Sequence, residues 1–195
     1  IKEQYTQLNP DPGTYDGILV PLAPAHVAHL LGPAAQGKAN VQRRTMVEAQ
    51  LDDGQKLLAL NEVFVGHSSH QSARYEIEAD GKREFQSSSG VIVSSGTGAT
   101  GWARSIMESS KTRIQVKPEE PQLAFFVREP FPSVSTGTSI RFGKANRQKP
   151  VRITSRMNEG GVIFADGIEQ DRLSFDWGRM VQVTVSSRQL HLVLP

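Results

Sequence analysis

The 195-residue chain contains no cysteine. That absence removes disulfides, thiol nucleophiles and thiolate-bound metals together, and it fits a reducing compartment or indifference to redox. No apolar run approaches the roughly 18 residues that a membrane-spanning helix needs, so no membrane is expected as a partner. The opening Ile1-Lys2-Glu3-Gln4 has neither a starting Met nor the apolar stretch of a signal peptide, so the chain reads as a fragment, a processed product or a trimmed piece. No Lys/Arg block exceeds Arg43-Arg44, and the net charge of +2 is spread along the chain. Nucleic-acid binding needs a concentrated basic stripe, so nucleic acid is not expected either. No Gly-Lys-[Ser/Thr] closes a P-loop, and no Gly-x-Ser-x-Gly elbow supports a hydrolase triad. His67-x-x-His70 and the pair His26 and His29 lack a third ligand nearby, so no metal site is expected.

What is present is ordinary globular composition, 37% hydrophobic and 22% charged, enough for one domain with a small appendage. A sequence pI near 9.0 is compatible with a small anionic ligand. Asn9-Pro10-Asp11-Pro12-Gly13 is a turn, Gly17 to Leu22 a short apolar strand, and Pro24 to Gly37 a helix that Gly32-Pro33 is expected to end or interrupt. Beyond it the pattern is β. Val41 to Leu51 alternates, Asp52-Asp53-Gly54 turns, and Gln55 to Val65 returns as one apolar strand. Arg74 to Ala79, Asp80-Gly81 and Arg83 to Gln86 form a second hairpin. Gly90 to Ser94 is a buried strand, a helix runs from about Thr100 to Glu108, and Lys111 to Pro121 is an exposed connector. Strands are then expected at Leu123 to Val127, Ser139 to Gly143, Val151 to Ser155, Gly161 to Ala165, Met180 to Ser186 and Gln189 to Leu194. The expected fold is mainly β, a multi-stranded sandwich-like domain with two short helices.

Two places in this pattern can carry chemistry. Ser94-Ser95-Gly96-Thr97-Gly98-Ala99-Thr100-Gly101 follows a buried strand and opens a helix. Its small residues let backbone approach a ligand, and its hydroxyls cap a helix or bond a ribose or phosphate. By itself it reads first as a plain strand-to-helix turn with ordinary capping. Asn61-Glu62 interrupts an apolar run, where an amide and a carboxylate are costly to bury unless they bond something; the alternative is a strand end in solvent. Weaker features are Ser87-Ser88-Ser89-Gly90, read as a polar loop, Arg128-Glu129 at a strand exit, and Asp166-Gly167, read first as a turn. Arg128 and Asp166 are kept as candidates to orient a ligand.

Taken together, Leu60-Asn61-Glu62-Val63-Phe64-Val65-Gly66, Asp80-Gly81 and Ser88-Ser89-Gly90 through Gly101-Trp102 resemble the NAD kinase family. Within it they look most like the C-terminal NAD-binding domain of the mitochondrial-type branch and its bacterial relatives. The resemblance implies an ATP-dependent phosphotransferase, with Mg²⁺, that converts NAD to NADP at the adenosine ribose 2′-hydroxyl. It implies that Asn61 and Glu62 hold the adenosine, that Thr97 and Thr100 lie near adenine and phosphates with Ser95, that Trp102 stacks on adenine, and that Ser105 faces the same pocket. Ser89 stands where many members carry an Asp that reaches the nicotinamide riboside. The family's Gly-Gly-Asp-Gly loop, whose Asp is the presumed base, does not occur in the sequence, so the catalytic residue is unassigned and this chain alone is expected to be inactive. Residues 1–38 are read as a remnant strand and helix of an N-terminal α/β domain that is mostly lacking, and 39–195 as the NAD-binding domain. A homodimer or higher homo-oligomer, in bacterial cytoplasm or the mitochondrial matrix, completes the expectation. The rival readings are a non-catalytic NAD/NADP-binding module and a lipid kinase of the diacylglycerol kinase superfamily. Asn61, Glu62 and Trp102 favour a dinucleotide over a lipid, because they offer sugar-bonding and stacking groups and no apolar tunnel.

Overall fold

Alternation of apolar and polar side chains sets most of this chain into strands, and the two faces of those strands decide where the core forms. The computed structural model describes residues 4–5, 22 and 27–194. The expected Asn9–Gly13 turn, the Gly17–Leu22 strand except for Leu22, and Pro24 at the helix start lie outside the described residues. The chain divides into two units, Thr45–Ser187 and the pair Ile1–Arg44 with Arg188–Pro195.

The larger unit is built of two sheets. The first has the order β3 (Lys56–Ala59), β2 (Val41–Leu51), β13 (Met180–Val193), β10 (Val151–Ser155), β5 (Ala73–Ala79) and β6 (Lys82–Ser88). Strands β2 and β13 continue past the unit's ends at Thr45 and Ser187. The second has the order β12 (Ile168–Ser174), β11 (Gly161–Ala165), β4 (Glu62–His67), β7 (Val91–Ser94), β8 (Leu123–Val127) and β9 (Phe142–Ala145). One core lies between them: Val47, Ala49, Tyr75, Ile77, Val181 and Val183 of the first sheet pack with Val63, Val65, Val91, Val93 and Phe125 of the second. This is the expected mainly-β sandwich. Among the described residues, no helix is long and apolar enough to cross a membrane.

Turn chemistry follows the sequence closely. Asp80 and Gly81 both take positive φ, 49° and 75°, as a two-residue hairpin loop between right-twisted strands requires. Asp52-Asp53-Gly54 closes β2 onto β3, and Arg179 pairs with Asp52 at 2.9 Å and with Asp53.

Three strand expectations need correction, and a fourth strand was not expected at all. The single strand Gln55–Val65 is two strands in different sheets, β3 and β4, parted at Leu60-Asn61. The strands expected at Met180–Ser186 and Gln189–Leu194 are one continuous β13, since no Gly or Pro separates them. The strand expected at Ser139–Gly143 begins later, as β9: the Glu84 carboxylate accepts the N–H groups of Ser139 and Ile140, each at 3.0 Å, and holds them away from a ladder. Strand β12 had no apolar signal, because Glu169-Gln170-Asp171-Arg172 forms a sheet edge that is mostly exposed.

A helix covers the outer face of the second sheet. After a one-turn 3-10 helix at Gly98–Thr100, α2 (Trp102–Ser110) packs Ala103 against Ala124, Phe126 and Val116. Val116 is thus buried within the connector expected to be exposed. Beside it, the Phe64 ring lies against Gly66 and Gly90, where an added Cβ would come within 2.3 Å and 2.5 Å of ring carbons.

In the smaller unit, α1 (Val27–Ala35) keeps Pro33 inside it and continues two residues further. It then stops on Gly37 at φ 68°. The Gly37 N–H bonds Ala34 O at 3.0 Å and Lys38 N–H bonds Pro33 O at 2.8 Å, the paired bonds that close a helix on a left-handed glycine. Strand β1 (Gln4–Tyr5) pairs in parallel with His191 and Leu192.

Gly90→Ala combines a positive φ of 102° with collision against the Phe64 ring. We expect it to destabilise the fold by about 2 kcal/mol or more, whereas Gly81→Ala, which meets nothing within 4 Å, should cost about 1 kcal/mol. Denaturant melts of the two variants measure the difference.

Candidate functional site

The site grows from the place where the chain leaves the first sheet and enters the second. Three consecutive backbone N–H groups there, of Leu60, Asn61 and Glu62, have no ladder partner on that side. The Asp166 carboxylate takes all three: Leu60 N–H on Oδ2 at 2.8 Å, and Asn61 and Glu62 N–H on Oδ1 at 2.7 Å and 3.2 Å. Asp166 N–H in turn bonds Glu62 O at 2.9 Å. Asp166 and Gly167 both have positive φ, 51° and 72°, so the β11–β12 turn read from the sequence is present. Its Asp does more than turn, because it fixes the Asn61-Glu62 corner from 104 to 106 residues away.

The Ser95–Gly98 turn packs on the same corner. Ser95 N–H bonds Asn61 O at 2.8 Å, and Ser95 Oγ donates to Leu60 O at 2.5 Å. That hydroxyl also accepts the N–H groups of Thr97 and Gly98, at 3.1 Å and 3.3 Å. A Cβ on Gly98 would stand 2.3 Å from Asn61 O, so only glycine permits this approach. Asn61, Glu62, Ser95, Thr97 and Asp166 are therefore brought together.

Two groups at the corner are left wanting partners. Thr97 Oγ1 is buried without a hydrogen-bond partner among the described residues, which is unfavourable unless something else supplies one. Glu62 is half-buried, and burial first, with the Asp166 charge second, pushes its carboxyl up to about 7.

Strand alternation carries the site along the sheet. Val63 and Val65 point into the core, so Glu62, Phe64 and Gly66 share the outer face. Phe64 pairs in register with Phe164, and their rings stack at 4.8 Å; Phe64 also stacks with Trp102 at 5.8 Å and 13°. These three rings line a cleft of about 410 Å³, which Ser89, Arg128, Glu169 and Arg172 also border, with His67 and His70. The size is that of a small-molecule site. The Arg128 guanidinium lies over the Trp102 ring at 5.0 Å, a cation–π geometry. The indole is thus already engaged, and a base stacking on it shares the ring with Phe64 and Arg128. Arg128 also meets Glu129 at 3.7 Å, but Glu129 is largely exposed, so that ion pair contributes little.

Ser89, Trp102 and Arg128 therefore form a second cluster around Phe64, which follows Glu62 by two residues on β4. Thr100 and Ser105 do not join either cluster. Both are exposed; Thr100 Oγ1 donates to Thr97 O at 3.1 Å, and Ser105 N–H to Gly101 O. The Ser87–Gly90 loop is partly strand, and its Ser88 is buried against the Tyr75 hydroxyl at 2.6 Å. His67 Nδ1 accepts the Ser69 N–H at 3.1 Å, tying the ring into its own loop. Among the described residues, no group of three or more His, Asp and Glu side chains is placed to hold a metal. A larger depression of about 670 Å³ along α2 and residues 111–115 contains none of the expected site residues.

Phe64, Phe164, Glu169 and Arg172 were not foreseen. Phe64 and Phe164 had a usable signal, since each lies two strand positions from a residue already singled out, Glu62 and Asp166. Glu169 and Arg172 had none, because β12 was not visible.

No protein-family model matches this sequence, and no curated protein matches it. Among solved structures, the chain is similar to yeast NADH kinase complexed with NADH, with a TM-score of 0.71 and 22% identity over 92% of this chain and 51% of that one. At that identity the likeness is one of fold. The fold is like that of part of the yeast enzyme, and the chain spans about half that enzyme's length.

Removing the Asp166 carboxylate by Asp166→Ala leaves three N–H groups without their acceptor, and the expected loss is about 2–3 kcal/mol, read from thermal or urea melts. Glu62 gives the opposite sign. Its raised folded-state pKa stabilises the fold below its unfolded value of 4.5, and that contribution is lost as pH rises through about 7. Glu62→Gln should therefore raise the melting temperature more at pH 8 than at pH 4. After discounting for solvent screening, the gain at pH 8 is about 2–4 °C.

Proposed function

We propose that this chain is the dinucleotide-binding half of an NAD kinase, the β domain that holds the adenosine part of NAD while its ribose 2′-hydroxyl is phosphorylated to give NADP. The observation that carries the proposal is the continuity of one sheet face. A corner with a free carboxylate and an unpaired buried hydroxyl runs into an aromatic cleft edged by guanidinium groups. The corner offers sugar-bonding groups in Asn61 and Glu62, the cleft offers a stacking surface in Trp102, and Arg128 and Arg172 offer charge to an anionic linkage. The likeness in fold to a kinase solved with NADH supports the same reading.

In this proposal Thr97, with Ser95 shaping its turn, lies against the adenosine, and Thr100 and Ser105 line the approach from the helix side. Ser89 meets the nicotinamide end. Residues 1–38 belong to the preceding α/β domain and 39–195 to the binding domain. ATP and Mg²⁺ are used by the whole enzyme, where phosphoryl transfer rests on positioning and electrostatics. No Gly-Gly-Asp-Gly loop occurs in these 195 residues, so for this chain the proposal is binding. The edge strands β9 and β12 suit self-association into a homo-oligomer.

Calorimetric titration of the chain with NAD, NADP and ATP is the test. A dinucleotide should bind, and failure of both NAD and NADP would sink the proposal. Asn61→Ala should weaken NAD binding by about 1–3 kcal/mol through loss of a partly buried hydrogen bond; an unchanged affinity would remove Asn61 from the site.

A further inference from the structure

We propose that Glu62, backed by Asp166, sorts the two forms of the adenosine ribose: it receives an unmodified 2′,3′-diol and turns away a ribose whose 2′-oxygen carries a phosphate. This rests on the dinucleotide reading and adds a selectivity to it.

The argument starts from the occupancy of the two carboxylates. Both oxygens of Asp166 are spent on the three backbone N–H groups of Leu60, Asn61 and Glu62. Asp166 is therefore held in place and has little capacity left for a ligand. Glu62 differs. Among the described residues no side chain hydrogen-bonds its carboxylate and no Lys or Arg pairs with it. An ionised carboxylate only accepts, and its two oxygens can receive two hydroxyl donors at once. A vicinal diol is that pair of donors. A 2′-phosphate removes one donor and brings between one and two negative charges against a carboxylate that already has Asp166 beside it. Among the described residues, no Lys or Arg pairs with Glu62 to offset them. The nearby groups from β7 and the following turn, Ser94, Ser95 and Thr97, are uncharged, and the guanidinium groups of Arg128 and Arg172 border the cleft further along the face. The buried, unpartnered Thr97 Oγ1 on the turn that packs against Asn61 is an independent sign that the corner is shaped for a polar ligand.

The raised proton affinity of Glu62, caused by burial and then by Asp166, supplies a second handle. As pH falls through about 7 the carboxyl gains its proton, can donate as well as accept, and loses the charge that opposes a phosphate. The phosphate gains a proton over a similar range, so part of any pH effect survives in a chain without Glu62, and the variant separates the two.

The experiment is calorimetry of the chain with NAD and with NADP at pH 6, 7 and 8, repeated on Glu62→Gln, with a thermal melt to check that the variant folds. Wild type should prefer NAD by at least tenfold at pH 8, and the preference should shrink towards pH 6. Glu62→Gln should cut the pH 8 ratio at least fivefold and flatten its dependence on pH. Equal affinities on wild type, or a preference that Glu62→Gln leaves unchanged, overturns the sorting role while leaving NAD binding intact. Binding of neither dinucleotide overturns the underlying reading and this inference with it. If Glu62→Gln does not fold, Glu62→Ala is titrated in the same way, and a pH 8 preference for NAD that it leaves unchanged overturns the proposal.

Discussion

The Asp166 carboxylate is the interaction on which the site depends. A chain that crosses from one sheet to another must abandon its ladder for a few residues, and backbone donors left unpaired inside a protein cost as much as lost hydrogen bonds. Leu60, Asn61 and Glu62 are such residues. Asp166 collects their N–H groups from a hairpin turn more than a hundred residues later. The same turn joins β11, which pairs with β4 in register, so one carboxylate fixes both the backbone at the corner and the wall of the adjoining cleft. Replacing it with any neutral side chain would relax the corner and remove the charge felt by Glu62, two consequences of one contact.

Around that contact the sheet face is organised by glycine and aromatic residues. Phe64 can lie flat because Gly66 and Gly90 present no Cβ to it. Its ring then stacks with Phe164 and Trp102. Gly98 serves the corner in the same way, letting the Thr97 turn close on the Asn61 carbonyl. Each of these approaches brings backbone or ring nearer than a side chain would allow, and together they make a shallow polar corner continuous with a lined cleft.

Much of this was legible in the sequence, and what was missed has physical reasons. The hairpins were visible because Asp-Gly pairs suit tight turns, with positive φ at Gly54 in one and at both Asp80 and Gly81 in the other. The Asn61-Glu62 pair and the Ser95–Gly98 turn were visible because polar or small residues broke otherwise apolar strands. Asp166 was read as a turn residue, which it is. Its contact with residues 60–62 could not be seen, since nothing local records a partner a hundred positions away. The division of Gln55–Val65 was hidden for a related reason: both halves are apolar on their core side, and only the switch of sheets parts them. Strand β12 was invisible because an edge strand with wet faces has no apolar alternation to read. Thr100 and Ser105 came from a motif alone; both are exposed at the helix start, and neither borders the aromatic cleft.

These facts bear on how the site comes into being. The corner contains residues 60–62, 95–98 and 166, drawn from three stretches of chain that meet only once the second sheet has formed. A local fragment could not hold it, because Asp166 reaches the corner through the β11–β4 ladder and Ser95 reaches it through the β4–β7 ladder. Formation of the site and closure of the sandwich are therefore one event. A ligand that engages the corner binds the folded state alone and stabilises the whole sandwich by mass action. The reverse coupling follows from the same contacts. Weakening either ladder loosens the Asp166 clamp together with the core, since the strands that carry the clamp also carry Val63, Val65 and Val93, which are fully buried behind it.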